Sequence, residues 1–212
     1  MDINLIDYAT GDSTLILAAK YGNKDVLEAL IKSGADVNER NYDCNTPLIF
    51  AASGEGHTEI VELLIANDAN VNSKNNIGET ALHKASYFGL YNIIELLLEN
   101  GADVNTKNID EDTPLHKAIV YGWNNIVELL LINGADINVQ NIEGDTPLHK
   151  SIYFNWHSIA DLLISKGADV TIKNDKSITP LNVETAFPHK EITEARINAV
   201  RYCEIIKSLK IN

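Results

Sequence analysis

The short stretch Thr113-Pro114-Leu115-His116, near the middle of the chain, begins a unit that recurs along the sequence. Gly122 follows it, and Gly134-Ala135-Asp136-Ile137-Asn138 closes the unit that the stretch opens. The same signals recur at intervals of 33 or 34 residues, marked by the leucines Leu15, Leu48, Leu82, Leu115, Leu148 and Leu181. A fixed period of this length indicates an array of stacked repeats rather than one globular core.

Each unit has the features of two short helices. Thr113 is a good N-cap, and Pro114 loses no hydrogen bond at the first helical position. Gly122 then breaks the chain, and residues 126–131 carry too many apolar side chains for a helix that faces water on most sides. Neither helix is long enough to be stable alone, so neighbouring units must stack and bury these side chains together.

The segment between two units is rich in turn-forming residues. Residues 136–145 include Asp136, Asn138, Asn141 and Gly144. Such residues favour tight turns because their backbone or short polar side chains stabilise them. The segment therefore predicts a hairpin finger that projects from the helices.

The repeated unit resembles the ankyrin repeat, whose signature is a unit of about 33 residues around Thr-Pro-Leu-His. Other units carry Thr46-Pro47-Leu48, Thr80-Ala81-Leu82-His83 and Thr146-Pro147-Leu148-His149, and the resemblance extends over residues 8 to about 181. It implies an all-α ankyrin-repeat solenoid of about five to six repeats, with short β-hairpin fingers. It also implies a non-enzymatic module for protein–protein interaction.

The repeat pattern weakens at both ends of the chain. We predict an N-terminal capping repeat over 1–40, four central repeats over 41–174, and a degenerate C-terminal capping repeat over 175–212 that contains a helix from about 191 to 209. At the other end, Asp2-Ile3-Asn4 resembles the close of a preceding repeat. Two interpretations therefore remain open: a degenerate N-terminal cap, or an array that continues in a longer chain.

Two departures from the repeat pattern predict local irregularities. Repeat 2 has one additional residue in Ser53-Gly54-Glu55-Gly56, which predicts a bulge at the turn between its helices. Asp68 and Asn155 stand where other repeats have glycine. Because Asn and Asp tolerate the left-handed backbone region best among non-glycine residues, we expect that conformation at both positions.

Net charge and hydropathy limit the kinds of partner. The formal net charge is −13, and residues 175–212 hold six basic and five acidic residues, which leaves −14 on residues 1–174. A nucleic-acid-binding protein normally presents a basic face, and no apolar run approaches the ~20 residues that a membrane span needs. We expect a monomer that binds an unidentified protein, with no nucleic acid or membrane as partner.

The compartment is inferred from the N-terminus and the cysteines. The start of the chain shows neither a basic region nor an apolar region of a secretory signal. Cys44 and Cys203 lie too far apart in the array to pair, which suits a reducing compartment. We predict a cytoplasmic protein. The many isoleucines and asparagines and the three arginines suggest AT-rich coding DNA, so delivery into a host cell by an unrecognised export route is an alternative.

Histidines are the obvious candidates for a metal site, but their spacing argues against one. His83, His116 and His149 occur once per repeat, which places them roughly 8–10 Å apart, whereas zinc needs all its nitrogen ligands at about 2 Å. We expect each to bridge backbone or hydroxyl groups between repeats, and we expect the non-periodic histidines at the surface: His57, His157 and His189. With no phosphate loop or nucleophile motif either, we predict no catalytic, metal or cofactor site and no enzyme.

The partner-binding candidates follow from the resemblance, which implies that fingertips and first helices line one concave groove. The candidates on the fingers are Tyr42, Asp43, Ile77, Glu79, Ile109, Asp110, Asp112, Ile142, Glu143 and Asp145. Those on the first helices are Tyr87, Phe88, Tyr121, Tyr153 and Phe154. Tyr21, Phe88, Tyr121 and Phe154 share one repeat position, and Ile77, Ile109 and Ile142 are interpreted as a second row. Exposed aromatic residues on a rigid surface favour protein recognition.

Other interpretations of these residues remain open. The aromatic row could instead seal the core against the next repeat, as we expect for Trp123 and Trp156. A row of lysines, Lys84, Lys117 and Lys150, could be structural and pair with the acidic fingers, although surface pairs contribute only ~0–1 kcal/mol each. The alternative function is the recognition arm of a longer effector or enzyme whose catalytic part lies outside this chain.

Overall fold

The computed structural model describes residues 6–54 and 56–183, and over these residues the chain forms ten α-helices in consecutive pairs and one short 3-10 helix. The helices are α1 Thr14–Lys20, α2 Lys24–Lys32, α3 Pro47–Ala51, α4 Thr58–Ala66, α5 Ala81–Phe88, α6 Tyr91–Glu99, α7 Pro114–Val120, α8 Asn124–Ile132, α9 Pro147–Tyr153 and α10 His157–Ser165, and the 3-10 helix is Pro180–Asn182. The predicted all-α repeat class is confirmed. The helix predicted over 191–209, and the Asp2-Ile3-Asn4 segment, lie outside the described residues.

The chain packs as two compact units, Met1–Ile109 and Asp110–Asn212, which we call unit 1 and unit 2. In unit 1 the first helices of the pairs pack in the order α1, α3, α5, and the second helices in the order α2, α4, α6. In unit 2, α7 packs against α9, α8 packs against α10, and the 3-10 helix packs against α9. Each unit is therefore a stack of helix pairs, as the repeat period predicts.

The core of each repeat is formed by side chains from both of its helices. In repeat 4, Leu115 and Ile119 of α7 and Ile126, Val127 and Leu130 of α8 are all fully buried. Burying a side chain of this size contributes about 1.5–3 kcal/mol. The helices are at most nine residues long, so this shared core, rather than helix propensity, stabilises them. No helix in the described part of the chain has the length and apolarity that crossing a bilayer requires.

The turn between the two helices of a repeat requires glycine for two reasons. Gly122 has a φ of 73°, in the left-handed region. A Cβ atom there would lie 2.7 Å from the ring of Trp156, which packs over the glycine from the next repeat. Trp156 therefore packs across the gap between the two repeats of unit 2, and its side chain remains 37% exposed.

His57 occupies the equivalent position in unit 1, and the prediction that it lies at the surface is wrong. Its ring packs over Gly22, and its Nε2 atom lies 3.2 Å from the backbone oxygen of Lys20. The ring is therefore half-buried between two repeats. Sequence reasoning missed this because His57, Leu90, Trp123 and Trp156 share a position but not a chemical type.

The irregular positions have the backbone that the sequence predicts. Asp68 and Asn155 have φ values of 65° and 64°, so both adopt the left-handed conformation. In the longer turn of repeat 2, Gly54 and Gly56 both have positive φ, whereas Gly122 alone does so in the equivalent turn of repeat 4. Glu55, between them, lies outside the described residues.

The fingers are tight turns rather than paired strands. In the first finger of unit 1, the backbone N–H of Asn41 donates to the oxygen of Asn45 at 3.1 Å. Cys44 within this turn has a φ of 58°. No β-strand is assigned anywhere in residues 6–54 and 56–183, so the predicted hairpins are present as turns without a strand ladder.

Candidate binding grooves

Unit 1 contains a groove between its fingers and its first helices, with a volume of about 440 Å³. We call it groove 1. Four apolar side chains line it: Ile49, Phe50, Ile77 and Phe88. Its polar lining comes from Asp43, Asn45, Ser53, Asn75, Asn76 and Lys84. Three of the predicted site residues, Asp43, Ile77 and Phe88, therefore lie around one cavity.

Unit 2 contains a groove of about 340 Å³ between a finger and the first helix α9. We call it groove 2. Its apolar lining is Tyr153, Phe154 and Val183, and its polar lining is Glu143, Asp145, His149, Lys150, Asn174 and Lys176. Four predicted site residues, Glu143, Asp145, Tyr153 and Phe154, line this groove.

One asparagine per finger holds the turn in shape. The Oδ1 atom of Asn141 accepts the backbone N–H groups of Glu143 and Asp145 at 3.1 and 2.9 Å. Its amide group donates to the carboxylate of Asp112, in the preceding finger, at 3.0 Å. Equivalent bonds run from Asn41 to Asp12, from Asn75 to Asn45 and from Asn174 to Asp145, at 2.7, 3.0 and 2.7 Å. The groove walls are thereby fixed before any partner binds.

Sequence analysis missed the role of these asparagines, although the signal was present. Asn41, Asn75, Asn108, Asn141 and Asn174 recur at the same 33- or 34-residue period as the leucines. A buried or half-buried polar residue at every period has to satisfy its hydrogen bonds, and Asn41, Asn75, Asn141 and Asn174 do so between neighbouring fingers.

The backbone bonds between fingers correct the predicted row of isoleucines. The N–H of Ile109 donates to the oxygen of Ile77 at 3.0 Å, just as the N–H of Asn76 donates to the oxygen of Asp43 at 2.9 Å. Ile77 therefore stands at the Asp43 position and Ile109 at the Asn76 position. The three isoleucines do not form one row, and of the three only Ile77 lines groove 1.

The periodic histidines bridge repeats, as predicted. The Nδ1 atom of His149 accepts the N–H and hydroxyl groups of Thr146 at 3.1 and 2.8 Å, and its Nε2–H donates to the oxygen of Ile178 at 2.9 Å. The Nε2–H of His116 likewise donates to the oxygen of Asp145 at 3.2 Å. Burial lowers the pKa of His149, and the Ile178 bond and the Asp145 charge offset only part of this effect. No cluster able to hold a metal ion occurs among the described residues.

The lysine row is structural. Lys84 pairs with Glu79, and Lys117 and Lys150 pair with Asp112 at 3.6 and 3.2 Å. Burial alone would raise the pKa of Asp112, but Lys150, His116, Asn141 and Lys117 together outweigh it and hold that pKa below its ordinary value. Asp112 is therefore charged, and Lys117, Lys150 and Asn141 satisfy its carboxylate.

Glu79 and Asp112 are the two predicted partner-binding residues that the fold turns inward. They are only 7% and 6% exposed, beneath the lysine side chains that cover them. Each stands immediately before the threonine that caps a first helix, so the side chain lies under the finger rather than at its tip. We assign both to the scaffold and remove them from the partner-binding surface.

The other finger candidates, apart from the half-buried Asp145, are exposed: Tyr42, Asp43, Ile77, Ile109, Asp110, Ile142 and Glu143. Among the helix candidates, Tyr121 is 52% exposed and Phe154 is 37% exposed. Tyr87 packs edge-on against Phe88 at 5.1 Å between ring centroids, and Tyr153 does the same with Phe154 at 5.2 Å. These rings are held in place but not enclosed, which argues against a purely core-sealing role.

Phe50 is a groove residue that sequence analysis missed. It stands at the position where Lys84, Lys117 and Lys150 stand in later repeats. The ring lines groove 1, and the Nζ atom of Lys20 lies 5.0 Å from its centroid. Aligning the repeats position by position would have revealed an aromatic ring in place of a paired lysine.

The family model described as Ankyrin repeats (3 copies) matches residues 15–108 and again residues 101–174. The chain therefore belongs to the ankyrin-repeat family. Repeats of this family generally serve as protein–protein interaction modules and are typically not catalytic. No curated protein sequence gives a significant match to this chain.

Proposed function

We propose that this chain binds a protein partner through the grooves between its fingers and first helices and catalyses no reaction itself. Groove 1 is the observation that carries the proposal. There Phe50, Ile77 and Phe88 present apolar side chains to a solvent-filled cavity of about 440 Å³. Covering such a surface with a partner side chain removes apolar area from water, which stabilises the complex.

The rigidity of the groove walls supports the proposal. The asparagine bonds between fingers and the edge-on aromatic pairs already hold the contact surface in one conformation. A preorganised surface loses little conformational entropy on binding, so more of the contact energy appears as affinity. The proposed surface consists of Tyr42, Asp43, Phe50, Ile77, Tyr87, Phe88, Ile109, Asp110, Tyr121, Ile142, Glu143, Asp145, Tyr153 and Phe154.

The second proposal is that the chain is the recognition arm of a longer effector or enzyme. Under this proposal the same grooves bind the partner. The difference is that the natural reading frame also encodes a catalytic part, which lies outside this sequence. The resemblance of Asp2-Ile3-Asn4 to the close of a repeat favours it. Sequencing the complete transcript from the source cell separates the two proposals.

The test compares a groove variant with a matched surface variant. Partners are purified from the source cell on the tagged protein, then produced separately and titrated by calorimetry. Replacing Phe50 and Phe88 together by Ala should weaken binding at least ~30-fold, because truncating a central pair of anchors costs about 2 kcal/mol or more. The control is Ile132→Ala on α8, where the isoleucine is 71% exposed but lines neither groove. Equal affinity of both variants would contradict the proposal.

A further inference from the structure

Groove 1 is apolar inside and carries an unpaired negative charge at its rim. Asp43 lies at a fingertip, is exposed, and lines the groove. Within the part of the chain that the structure describes, its carboxylate makes no hydrogen bond or salt bridge. This distinguishes it from Glu79, in the next finger of unit 1, whose carboxylate pairs with Lys84.

The cations near groove 1 are already matched. The Lys84 ammonium group, which lines the groove, pairs with the buried Glu79. The Lys20 ammonium group lies over the Phe50 ring and pairs with Asp12 at 3.4 Å. Among the charged groups described around this groove, Asp43 is therefore the one whose charge is not compensated. The same sign prevails over the whole of residues 1–174, with their net −14.

The interior of the groove selects for apolar groups. Ile77 and Phe88 are 44% and 38% exposed, so a partner side chain between them and Phe50 would cover apolar surface that now faces water. The Lys20 ammonium group already lies over the Phe50 ring, 5.0 Å from the ring centroid, so Phe50 contributes apolar surface to a partner and Asp43 contributes the charge. An apolar interior with Asp43 at its rim favours a segment in which an apolar residue lies near a positive charge.

We propose that groove 1 binds a basic segment of the partner protein. One apolar side chain of the segment packs between Phe50, Ile77 and Phe88, and a neighbouring Lys or Arg pairs with Asp43. The inference rests on the proposed function and specifies the chemistry of the partner. An acidic segment would bring like charges together at Asp43, which disfavours association and slows encounter.

The test uses a library of short random peptides displayed on phage, selected on the wild-type protein and depleted on a Phe50→Ala, Phe88→Ala variant. The expected peptides combine Leu, Ile, Phe or Met with Lys or Arg a few positions away. One of them is then synthesised, and its affinity is measured by fluorescence polarisation at low and at high salt.

Two single variants separate the charge at the rim of groove 1 from the net charge of the protein. Asp43→Asn should weaken peptide binding about fivefold at low salt and flatten the salt dependence, because it removes one partly exposed ion pair. The matched control is Asp68→Asn, which removes the same charge elsewhere. Asp68 is exposed and does not line groove 1, and Asn tolerates its left-handed backbone as well as Asp does. It should leave the affinity unchanged.

The outcomes separate this inference from the proposed function. If the groove-dependent peptides are acidic or uncharged, the charge inference fails while groove binding stands. If no peptide depends on Phe50 and Phe88, both fail. An equal effect of Asp43→Asn and Asp68→Asn would show that net charge, and not the rim of groove 1, attracts the peptide, and would also overturn the inference.

Discussion

Groove 1 and groove 2 are built from the same repeat positions but differ in polarity. The two finger positions hold Asp43 and Ile77 in groove 1, and Glu143 and Lys176 in groove 2. The equivalent first-helix position, held by Phe50 in repeat 2, is Lys150 in repeat 5. The scaffold is constant, so these few positions determine what each groove can bind.

If the grooves bind a partner as proposed, specificity lies in these few surface positions and not in the hydrogen bonds that hold the groove walls. Hydrogen bonds of the asparagines and histidines recur from repeat to repeat and hold those walls. An isoleucine at a fingertip, as at Ile77, produces an apolar pocket, and a lysine at the same place, as at Lys176, produces a polar one. Substitutions in the scaffold and on the surface should accordingly have different effects on stability and on binding.

The largest expected effect comes from the scaffold. Leu130→Ala should lower the free energy of unfolding by ~2–5 kcal/mol, because Leu130 is fully buried and its truncation leaves a cavity. Replacing Tyr121 and Phe154 together by Ala should lower it by less and should weaken partner binding by at least ~2 kcal/mol. Urea unfolding and calorimetric titration measure the two quantities.

The comparison can fail in a recognisable way. Should the double variant lose as much stability as Leu130→Ala, while its folded fraction binds the partner normally, the aromatic residues belong to the core. The binding surface would then lie elsewhere, and the proposed role of groove 2, which Phe154 lines, would be refuted.

A second comparison concerns the asparagines that hold the two grooves. Asn75 donates to the neutral amide of Asn45 in groove 1, whereas Asn174 donates to the carboxylate of Asp145 in groove 2. Hydrogen bonds to charged groups contribute about 1.5–3 kcal/mol, and neutral ones about 0.5–1.5. Asn174→Ala should therefore destabilise the protein more than Asn75→Ala does. Urea unfolding measures the loss of unfolding free energy in each variant. Equal losses would show that both asparagines stabilise only the turn of their own finger and not the contact with the preceding finger.

The period, the helix pairs and the helix-breaking glycines are all predictable from the sequence, because each follows from local rules that repeat along the chain. Interactions between repeats are harder to predict. The sequence places Glu79 and Asp112 among the fingertip charges, and only the neighbouring lysines show that they are buried. Residue type groups Ile77, Ile109 and Ile142 together, although Ile77 lies five residues before its repeat leucine and the other two lie six before theirs, and the backbone bonds between fingers show the difference. Phe50 escapes prediction because it replaces a lysine in a row whose other members are structural.

A third prediction concerns a substitution that makes groove 1 more like groove 2. Ile77→Lys places at the fingertip the residue type that groove 2 has at Lys176. It should weaken binding of a basic, groove-dependent peptide about tenfold, because it removes an apolar contact and adds a like charge. Ile132→Lys is the control, since Ile132 is 71% exposed and lines neither groove. Peptide affinity is measured by fluorescence polarisation. An equal loss of affinity in both variants would show that the residue at position 77 does not determine what groove 1 binds.

The smallest expected effect is a difference in pH dependence between the two grooves. Groove 2 is lined by His149, and groove 1 has Ile49, which does not titrate, at the equivalent position. Burial lowers the pKa of His149 in the folded protein, although the Ile178 carbonyl and Asp145 favour its protonated form. The unfolded chain therefore takes up a proton more readily than the folded protein does, as the pH falls through ~6.5.

The contribution of His149 to stability is thus fully present above about pH 6.5 and is lost progressively as the pH falls from there toward the lower folded pKa. His149→Ile, which introduces the residue type of Ile49, should reduce stability at all pH values, because the Ile178 oxygen loses its donor. It should also make the free energy of unfolding fall less steeply below pH ~6.5 than it does in the wild type. Urea unfolding at a series of pH values measures both slopes. Identical slopes would mean that His149 titrates alike in both states and that the bond from the Thr146 N–H to its Nδ1 atom does not favour the neutral form.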